Sequence, residues 1–307
     1  MGYSKFWLKN LGVYYMLIAS FYFALNGALA KVMAEQMSSV EIVFFRNAVG
    51  LAIVLVSLKR LKNFGVGGKP WLLFFRAFIG SCGIIATFYN IAHIELGTAF
   101  TFQKTAPIFT ALFSSFFLGE KLSFKGWCAI MLGFGGILLV IQPHISIAPT
   151  DIIGVFGGMC AGLAYTSVRE LRKYYATDII ILVFVFGAAL VSSALMCAEF
   201  ALRGREIEIL GVISSANLSK FAYFNMPNLF GWVLVALLGI SGIYFQKYMT
   251  RSYAASKKAG VAAAISYTDI IFTLILGVML GDSLPNLMAF LGILVVIISG
   301  VLIARER

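Results

Sequence analysis

Charge is what this sequence has least of. Asp, Glu, Lys and Arg make up 12% of its 307 residues, about half the share of a soluble domain. Hydrophobic residues make up 61%, and so few polar groups cannot cover a water-facing surface. A soluble globular enzyme is therefore excluded, and so is a disordered chain. Cysteine is scarce as well: Cys82, Cys128, Cys160 and Cys197 all fall within apolar runs, which excludes a disulfide scaffold. The two histidines, His93 and His144, stand in separate short loops with no ligand spacing around either. The chain has no metal-binding pattern, no phosphate-binding glycine loop, no ATP-binding motif and no nucleophile with its base. No cofactor and no enzymatic chemistry are expected. Long polar segments are missing too. The longest, at about 202–227, is too short for a domain.

What the chain does have is apolar runs of membrane-spanning length, roughly 20 residues each. Ten are expected, at about 11–32, 39–58, 71–92, 97–118, 124–142, 151–172, 179–201, 228–249, 259–281 and 284–304. Lys5 and Lys9 precede a full-length span with no small-residue cleavage site after it, so no cleaved signal peptide is expected. The net charge of +11 would suit nucleic acid, but its distribution does not. Arg46, Arg76 and Lys104 lie inside spans, and Lys31, Arg203, Arg205 and Lys220 lie in loops on one side. The remaining seventeen basic residues fall in segments on the other side. The positive-inside rule then puts both termini in the cytoplasm and makes the span count even. The fold expected is an all-α membrane protein.

The chain also repeats itself. Thr105-Ala-Pro-Ile-Phe and the following Leu118-Gly119-Glu120-Lys-Leu122 have a counterpart 162 residues later. It reads Tyr267-Thr-Asp-Ile-Ile, then Leu280-Gly281-Asp282-Ser-Leu284. A fainter echo links Lys31 and Glu41 to Arg169 and Asp178. Each copy holds five spans, and an odd number turns the second copy over in the membrane. Two inverted five-helix repeats are expected, residues 1–146 and 147–307, joined near Pro143 and Pro149. Secondary transporters are often built this way, with the binding site at the midplane between the copies.

These features, with Pro107, Leu118-Gly119-Glu120, Phe44-Phe45-Arg46 and Arg76, resemble the EamA branch of the drug/metabolite transporter superfamily over essentially the whole chain. The second copy departs from the usual ending by carrying Asp282 in place of Glu. The resemblance implies a central cavity lined by the first, third, fourth, sixth, eighth and ninth helices, with the fifth and tenth peripheral. It also implies export or import of amino acids, nucleobases or related small metabolites across a bacterial inner membrane.

Helical periodicity places candidate residues on its own. Arg76, Gly80, Gly83, Thr87 and Asn90 step by three or four along one face of the third span. Tyr15, Ala19, Tyr22 and Asn26 do so in the first. Thr101, Lys104, Pro107, Ala111 and Ser115 form a stripe in the fourth, and Ala262, Ser266, Asp269, Thr273 and Gly277 one in the ninth. The eighth offers Gly239, Gly242 and Gln246. Such stripes either pack helices together or line a wet path. For Gly154, Gly158 and Gly162 in the sixth span, packing is the expectation.

A charge at mid-membrane costs about 2.5–3.5 kcal/mol, so Lys104 and Asp269 need a reason to be there. They either bind a polar or zwitterionic substrate, with Asp269 an alternative proton acceptor, or form a structural ion pair. Pro107 frees a backbone carbonyl nearby. Arg76 is placed in the path or else snorkels to headgroups. Arg46 is expected to pair with Glu41 or to hold its span against a neighbour, and Glu199 to be interfacial. Tyr15, Tyr22, Tyr89 and Tyr267 are candidates to stack on a planar substrate, and Trp7, Trp71 and Trp232 to form interfacial belts.

The candidate substrate site is thus Lys104, Asp269, Asn26, Tyr22, Asn90, Thr87, Gln246, Tyr267, Ser266 and Arg76. The expected function is secondary transport, by export or exchange, of a small polar metabolite by alternating access. A membrane-embedded enzyme and a non-transporting subunit are the alternatives. The expected partners are the metabolite, the bilayer and coupling protons, with a homodimer allowed and nucleic acid excluded.

Overall fold

A computed structural model describes residues 11–59, 65–118, 123–141, 148–202, 208–209, 213–214, 222–255 and 265–306. Eleven helices with defined bounds follow one another: α1 (Leu11–Met33), α2 (Ser39–Leu58), α3 (Pro70–His93), α4 (Leu96–Gln103), α5 (Ala106–Leu118), α6 (Phe124–Ile141), α7 (Pro149–Leu171), α8 (Thr177–Leu202), α9 (Leu229–Ala255), α10 (Thr268–Met279) and α11 (Leu287–Glu306). A small antiparallel ribbon, β1 (Glu208–Ile209) with β2 (Ile213–Ser214), lies between α8 and α9. Six helices are long and apolar enough to cross a membrane, and shorter apolar helices accompany them. Apart from that ribbon the regular structure among the described residues is helical, and the chain is a multi-pass membrane protein. The Gly119-Glu120 ending, His144 and the Pro143 junction, Ala262, Trp7, Lys5 and Lys9 lie outside the described residues.

The helix starts follow local chemistry. Ser38 caps α2, its hydroxyl accepting from the Glu41 N–H at 3.2 Å. Pro70 and Pro149 open α3 and α7, where a missing N–H leaves nothing unsatisfied. Asp151 accepts from the Ala148 N–H at 3.0 Å, next to the positive end of α7.

The fourth expected span is not one helix. It breaks at Lys104 and Thr105, and Pro107 then sits in the first turn of α5, where proline is tolerated. The ninth span breaks in the same way. Ile265 and Ser266 are helical, Tyr267 is a turn residue, and α10 begins at Thr268.

Packing follows a regular scheme. α1 lies along α9, α3 along α7, α2 along α8, and α6 along α11. α9 also touches α2, α8 touches α3, α4 and α5 rest on α7, and α10 rests on α1. α6 and α11 are joined closely. Ser299 donates to the Ala129 carbonyl at 2.6 Å, and a Cβ on Gly136 would lie 2.9 Å from Val296 N.

Gly154, Gly158 and Gly162 do the packing expected of them. They face Phe102, Thr105 and Phe109, so α7 carries the broken fourth span on a glycine face. A Cβ on Gly158 would overlap Thr105 Oγ1 and lie 2.7 Å from the Phe102 carbonyl.

At one end of the bundle the α2–α3 loop meets the α7–α8 turn. Gly65, Gly67 and Gly68 have φ of 104°, 75° and 135°, as side-chain-bearing residues rarely do. The Gly67 N–H donates to the Tyr174 carbonyl at 3.1 Å. Glu170 pairs with Lys69 at 2.8 Å and Lys173 at 2.7 Å. These two ammonium groups, Lys173 foremost, pull the Glu170 carboxyl down to about 2, and Glu170 in turn raises Lys69.

Two predictions follow from this packing. Gly158→Val should lower thermal stability in detergent by roughly 1–3 kcal/mol through overpacking, whereas Gly135→Ala, with open space before it, should change it little. Glu170 has a depressed pKa, so its stabilisation is present above the ordinary value of 4.5 and fades as pH falls toward about 2. The deficit in thermal midpoint of Glu170→Gln should hold from pH 5 to 8 and close below pH 4.

Candidate functional site

Between the two sets of helices lie two adjoining chambers, of about 30 Å³ and about 50 Å³. Each has room for only a few waters, against roughly 300–1,000 Å³ for a ligand pocket. Phe23, Gln103, Tyr165 and Phe245 belong to both linings and form the shared wall.

The first chamber is built around the two helix breaks. Lys104 and Asp269 form an ion pair there, 6% and 2% exposed. Lys104 Nζ also donates to the Ser266 carbonyl at 2.9 Å. The lysine at one break thus serves the backbone at the other. Asp269 spends Oδ2 on Lys104, while its buried Oδ1 has no hydrogen-bond partner. The Tyr267 hydroxyl donates to the Lys104 carbonyl at 3.4 Å. The ammonium lies 5.4 Å from the Phe23 ring centroid, within cation–π range. Met16, Ser20, Pro107 and Met249 complete the walls.

The second chamber holds Asn26, Arg46, Arg76, Thr87 and Gln246. Asn26 donates to the Leu238 carbonyl at 2.8 Å and to Ser241 Oγ at 3.0 Å, which fixes its oxygen to accept from Arg46 Nε at 3.1 Å. Thr87 donates to Gln103 Oε1 at 3.0 Å, and Gln103 in turn hydrogen-bonds Tyr165. Arg76 stacks its guanidinium 4.1 Å over the Phe184 ring, a contact worth up to about 2 kcal/mol when desolvated.

Of the expected site residues, Lys104, Asp269 and Ser266 meet in the first chamber, and Asn26, Arg76, Thr87 and Gln246 in the second. Arg76 is 3% exposed and faces inward, so the snorkelling alternative fails. Three others sit apart. Tyr22 stacks with Tyr244 and Tyr248 along the α1–α9 seam. The inward face of α1 lies one residue further on, with Met16, Ser20 and Phe23, and Tyr15 joins the tyrosine stack through Tyr248. Asn90 binds the Thr150 carbonyl at 3.0 Å between α3 and α7. Tyr267 packs behind Lys104 rather than in the lining. Tyr89 stacks on His93, which ends α3 instead of lying in a loop.

Arg46 does not pair with Glu41. Five residues apart on a helix, they point about 140° from each other at 3.6 residues per turn. Glu41 instead accepts from the Asn225 N–H at 3.2 Å. Glu199, three residues from the end of α8, is buried at 4% exposed. Arg46, Gln103, Tyr165, Phe23 and Phe245 were missed by periodicity. The signal for Arg46 was its charge in mid-span. Arg46 and Phe184 also bring the second and seventh spans into the lining, beyond the six expected.

A polar cluster ties helices together at one end of the bundle. Asp282 pairs with Lys31, and its other oxygen accepts from the Leu96 N–H at 2.8 Å, at the start of α4. Ser283 hydrogen-bonds Glu95 beside it. The acid of the repeated Leu-Gly-acid ending is thus a latch between α1, α4 and α10.

Buried charged side chains thus line small chambers inside a multi-pass membrane bundle. The EamA-like transporter family model matches residues 10–142. An uncharacterized transporter of Helicobacter pylori is 32% identical over 95% of this chain and 94% of its own. The pseudopaline exporter of Pseudomonas aeruginosa is 26% identical over 98% of both chains. The S-adenosylmethionine uptake transporter of Rickettsia bellii is 19% identical over 94% of this chain and 91% of its own. A solved crystal structure aligns over 98% of both chains with a TM-score of 0.57 and 19% identity, a likeness of fold. The chain belongs to the EamA-like transporter family, and its relatives are transporters of the drug/metabolite superfamily rather than enzymes.

Removing one partner of a buried ion pair leaves the other charge stranded, at a cost of about 3–5 kcal/mol. Lys104→Met should therefore destabilise the protein strongly in detergent unfolding. Lys104→Met combined with Asp269→Leu should recover much of the loss, giving a large positive coupling in the double-mutant cycle.

Proposed function

We propose that this protein is a secondary transporter that exports or exchanges a small polar metabolite across a bacterial inner membrane by alternating access. The observation that carries the reading is the pair of small polar chambers beside matched helix breaks at Lys104–Thr105 and Tyr267. Broken helices at the midplane are where transporter sites are made, because freed backbone groups are tolerated there only within protein or beside a wet cavity.

In this reading the two halves, residues 1–146 and 147–307, are inverted five-helix repeats with both termini cytoplasmic. The packing scheme supports it. Exchanging each span for the one five places on turns α1–α9 into α7–α3 and α2–α9 into α8–α3. The contact of α10 with α1 becomes that of the fourth span with α7, while α2–α8 and α6–α11 map onto themselves. Lys104 and Ser266, which touch, are 162 residues apart, the offset of the sequence repeat. Charge counting puts the Lys31–Asp282 latch on the outer side, so the latch closes the outer gate and its release opens the chambers outward.

The substrate meets Lys104, Asp269, Asn26, Arg76, Thr87 and Gln246. Asp269, with one oxygen unpartnered, is the group to take up a proton or to hold an amine of the cargo. Export is favoured over uptake because the relative named as an exporter is the more similar of the two relatives with a named cargo.

The test is flux of radiolabelled metabolites in proteoliposomes. Asp269→Asn should cut flux at least tenfold while the protein still elutes as a single folded species. Normal transport by that variant would remove Asp269 from the mechanism, and no flux of any cargo by the wild type would reject carriage itself.

A further inference from the structure

We propose that the second chamber is an oxyanion seat. On this view, which rests on the carrier reading above, the cargo is a small organic anion whose carboxylate or phosphate is held by Arg46 and Arg76. The two guanidiniums come from different helices, α2 and α3, line one cavity, and are 4% and 3% exposed. No residue lining that cavity is a carboxylate. Among the described residues Arg46 is held by amide oxygens alone, those of Asn26 at 3.1 Å and Asn47 at 3.4 Å. Arg76 Nε and Nη1 are buried and donate to nothing. Its close contact is the face of Phe184, which takes up positive charge but fills no donor.

The adjoining chamber does not supply the missing charge. Its carboxylate, Asp269, is engaged by Lys104. Across both chambers three cationic side chains face one anionic one. A structural arginine at this depth would be expected to close on a carboxylate or on free carbonyls. Arg46, given neutral amide oxygens but no carboxylate, and Arg76, with two donors unfilled, are poised for a charge that arrives with the ligand. The forked, planar guanidinium matches a carboxylate or phosphate two oxygens at a time.

Glycines keep the arginines' surroundings open. A Cβ on Gly242 would lie 2.6 Å from Arg46 Nε, and one on Gly80 would lie 3.2 Å from Arg76 Nη1. A neutral acceptor also waits in the wall, since the buried Gln246 Oε1 has no partner. It suits a hydroxyl or amine on the same cargo. Through the shared wall at Gln103 and Tyr165, a second acidic group on the cargo would reach Lys104.

The experiment is thermal unfolding of the full chain in detergent against citrate and glutamate in one arm, inorganic phosphate and glycerol 3-phosphate in another, and spermidine in a third. At least one anion should raise the midpoint saturably, and the responding arm tells carboxylate from phosphate. Arg46→Gln and Arg76→Gln should each weaken that anion's apparent affinity at least tenfold, while Lys173→Gln, which removes a positive charge at the bundle end, should leave it unchanged. If Arg76→Gln does not elute as one folded species, Arg76→Lys replaces it, keeping the charge but losing the fork, and should still weaken binding severalfold. No response to any of the four anions, an equal response to spermidine, or a response undiminished in both arginine variants would overturn the proposal. Flux separates it from the carrier reading. Anion binding without flux rejects carriage and keeps the seat. Flux of a cation that no anion inhibits keeps carriage and rejects the seat.

Discussion

Lys104 sits where the constraints on this fold meet. In lipid every backbone group must find a partner within the protein, yet two spans are interrupted deep in the bundle. The ammonium of Lys104 meets both demands at once. It neutralises Asp269, and it takes the Ser266 carbonyl at the second interruption. The two breaks hold each other, and neither would be stable facing hydrocarbon.

The rest of the bundle can be understood as support for that junction. The glycine face of α7 lets the backbones of α4 and α5 come close enough to seat the break. Phe23 lies against Phe100 and Phe245, at centroid distances of 4.6 and 4.5 Å, and closes the chamber from the α1 side. Asp282 fixes the start of α4 by accepting from its first N–H and by pairing with Lys31. A short helix of eight residues, α4, is thereby anchored at its beginning by a carboxylate and at its end by Lys104. Isolated helices of that length are marginal, and this one is held by its neighbours.

Much of this was legible in the residues. Apolar runs gave most of the described helix bounds to within a few residues, and the third span's stripe from Arg76 through Thr87 lines the second chamber. The depth of Lys104 and Asp269 announced their pairing, because a charge at mid-membrane needs a partner. Rotation about a helix was harder to read. In α1, tyrosines and small residues alternate so closely that two faces look polar, and aromatic stacking with α9 decided between them. Of the two readings of Arg46, pairing with Glu41 fails because Glu41 points away around the helix, and holding its span against a neighbour fits its bond to Asn26 of α1. Gln103 and Tyr165 could not be found from period alone, since a break resets the phase of the stripe that carries Gln103, and Tyr165 stands in a span read as packing. The role of the Leu280-Gly281-Asp282 ending needed the third dimension, where its acid reaches a lysine 251 positions away.

The union of α6 with α11 bears on how such a molecule can deform. Their backbones are nearly in contact at Gly136, and Ser299 bridges them by a side-chain hydrogen bond. Sliding there would break that bridge and drive Val296 into the neighbouring helix. This pair therefore resists translation, so a displacement of the bundle falls on other seams, among them the stacked tyrosines between α1 and α9.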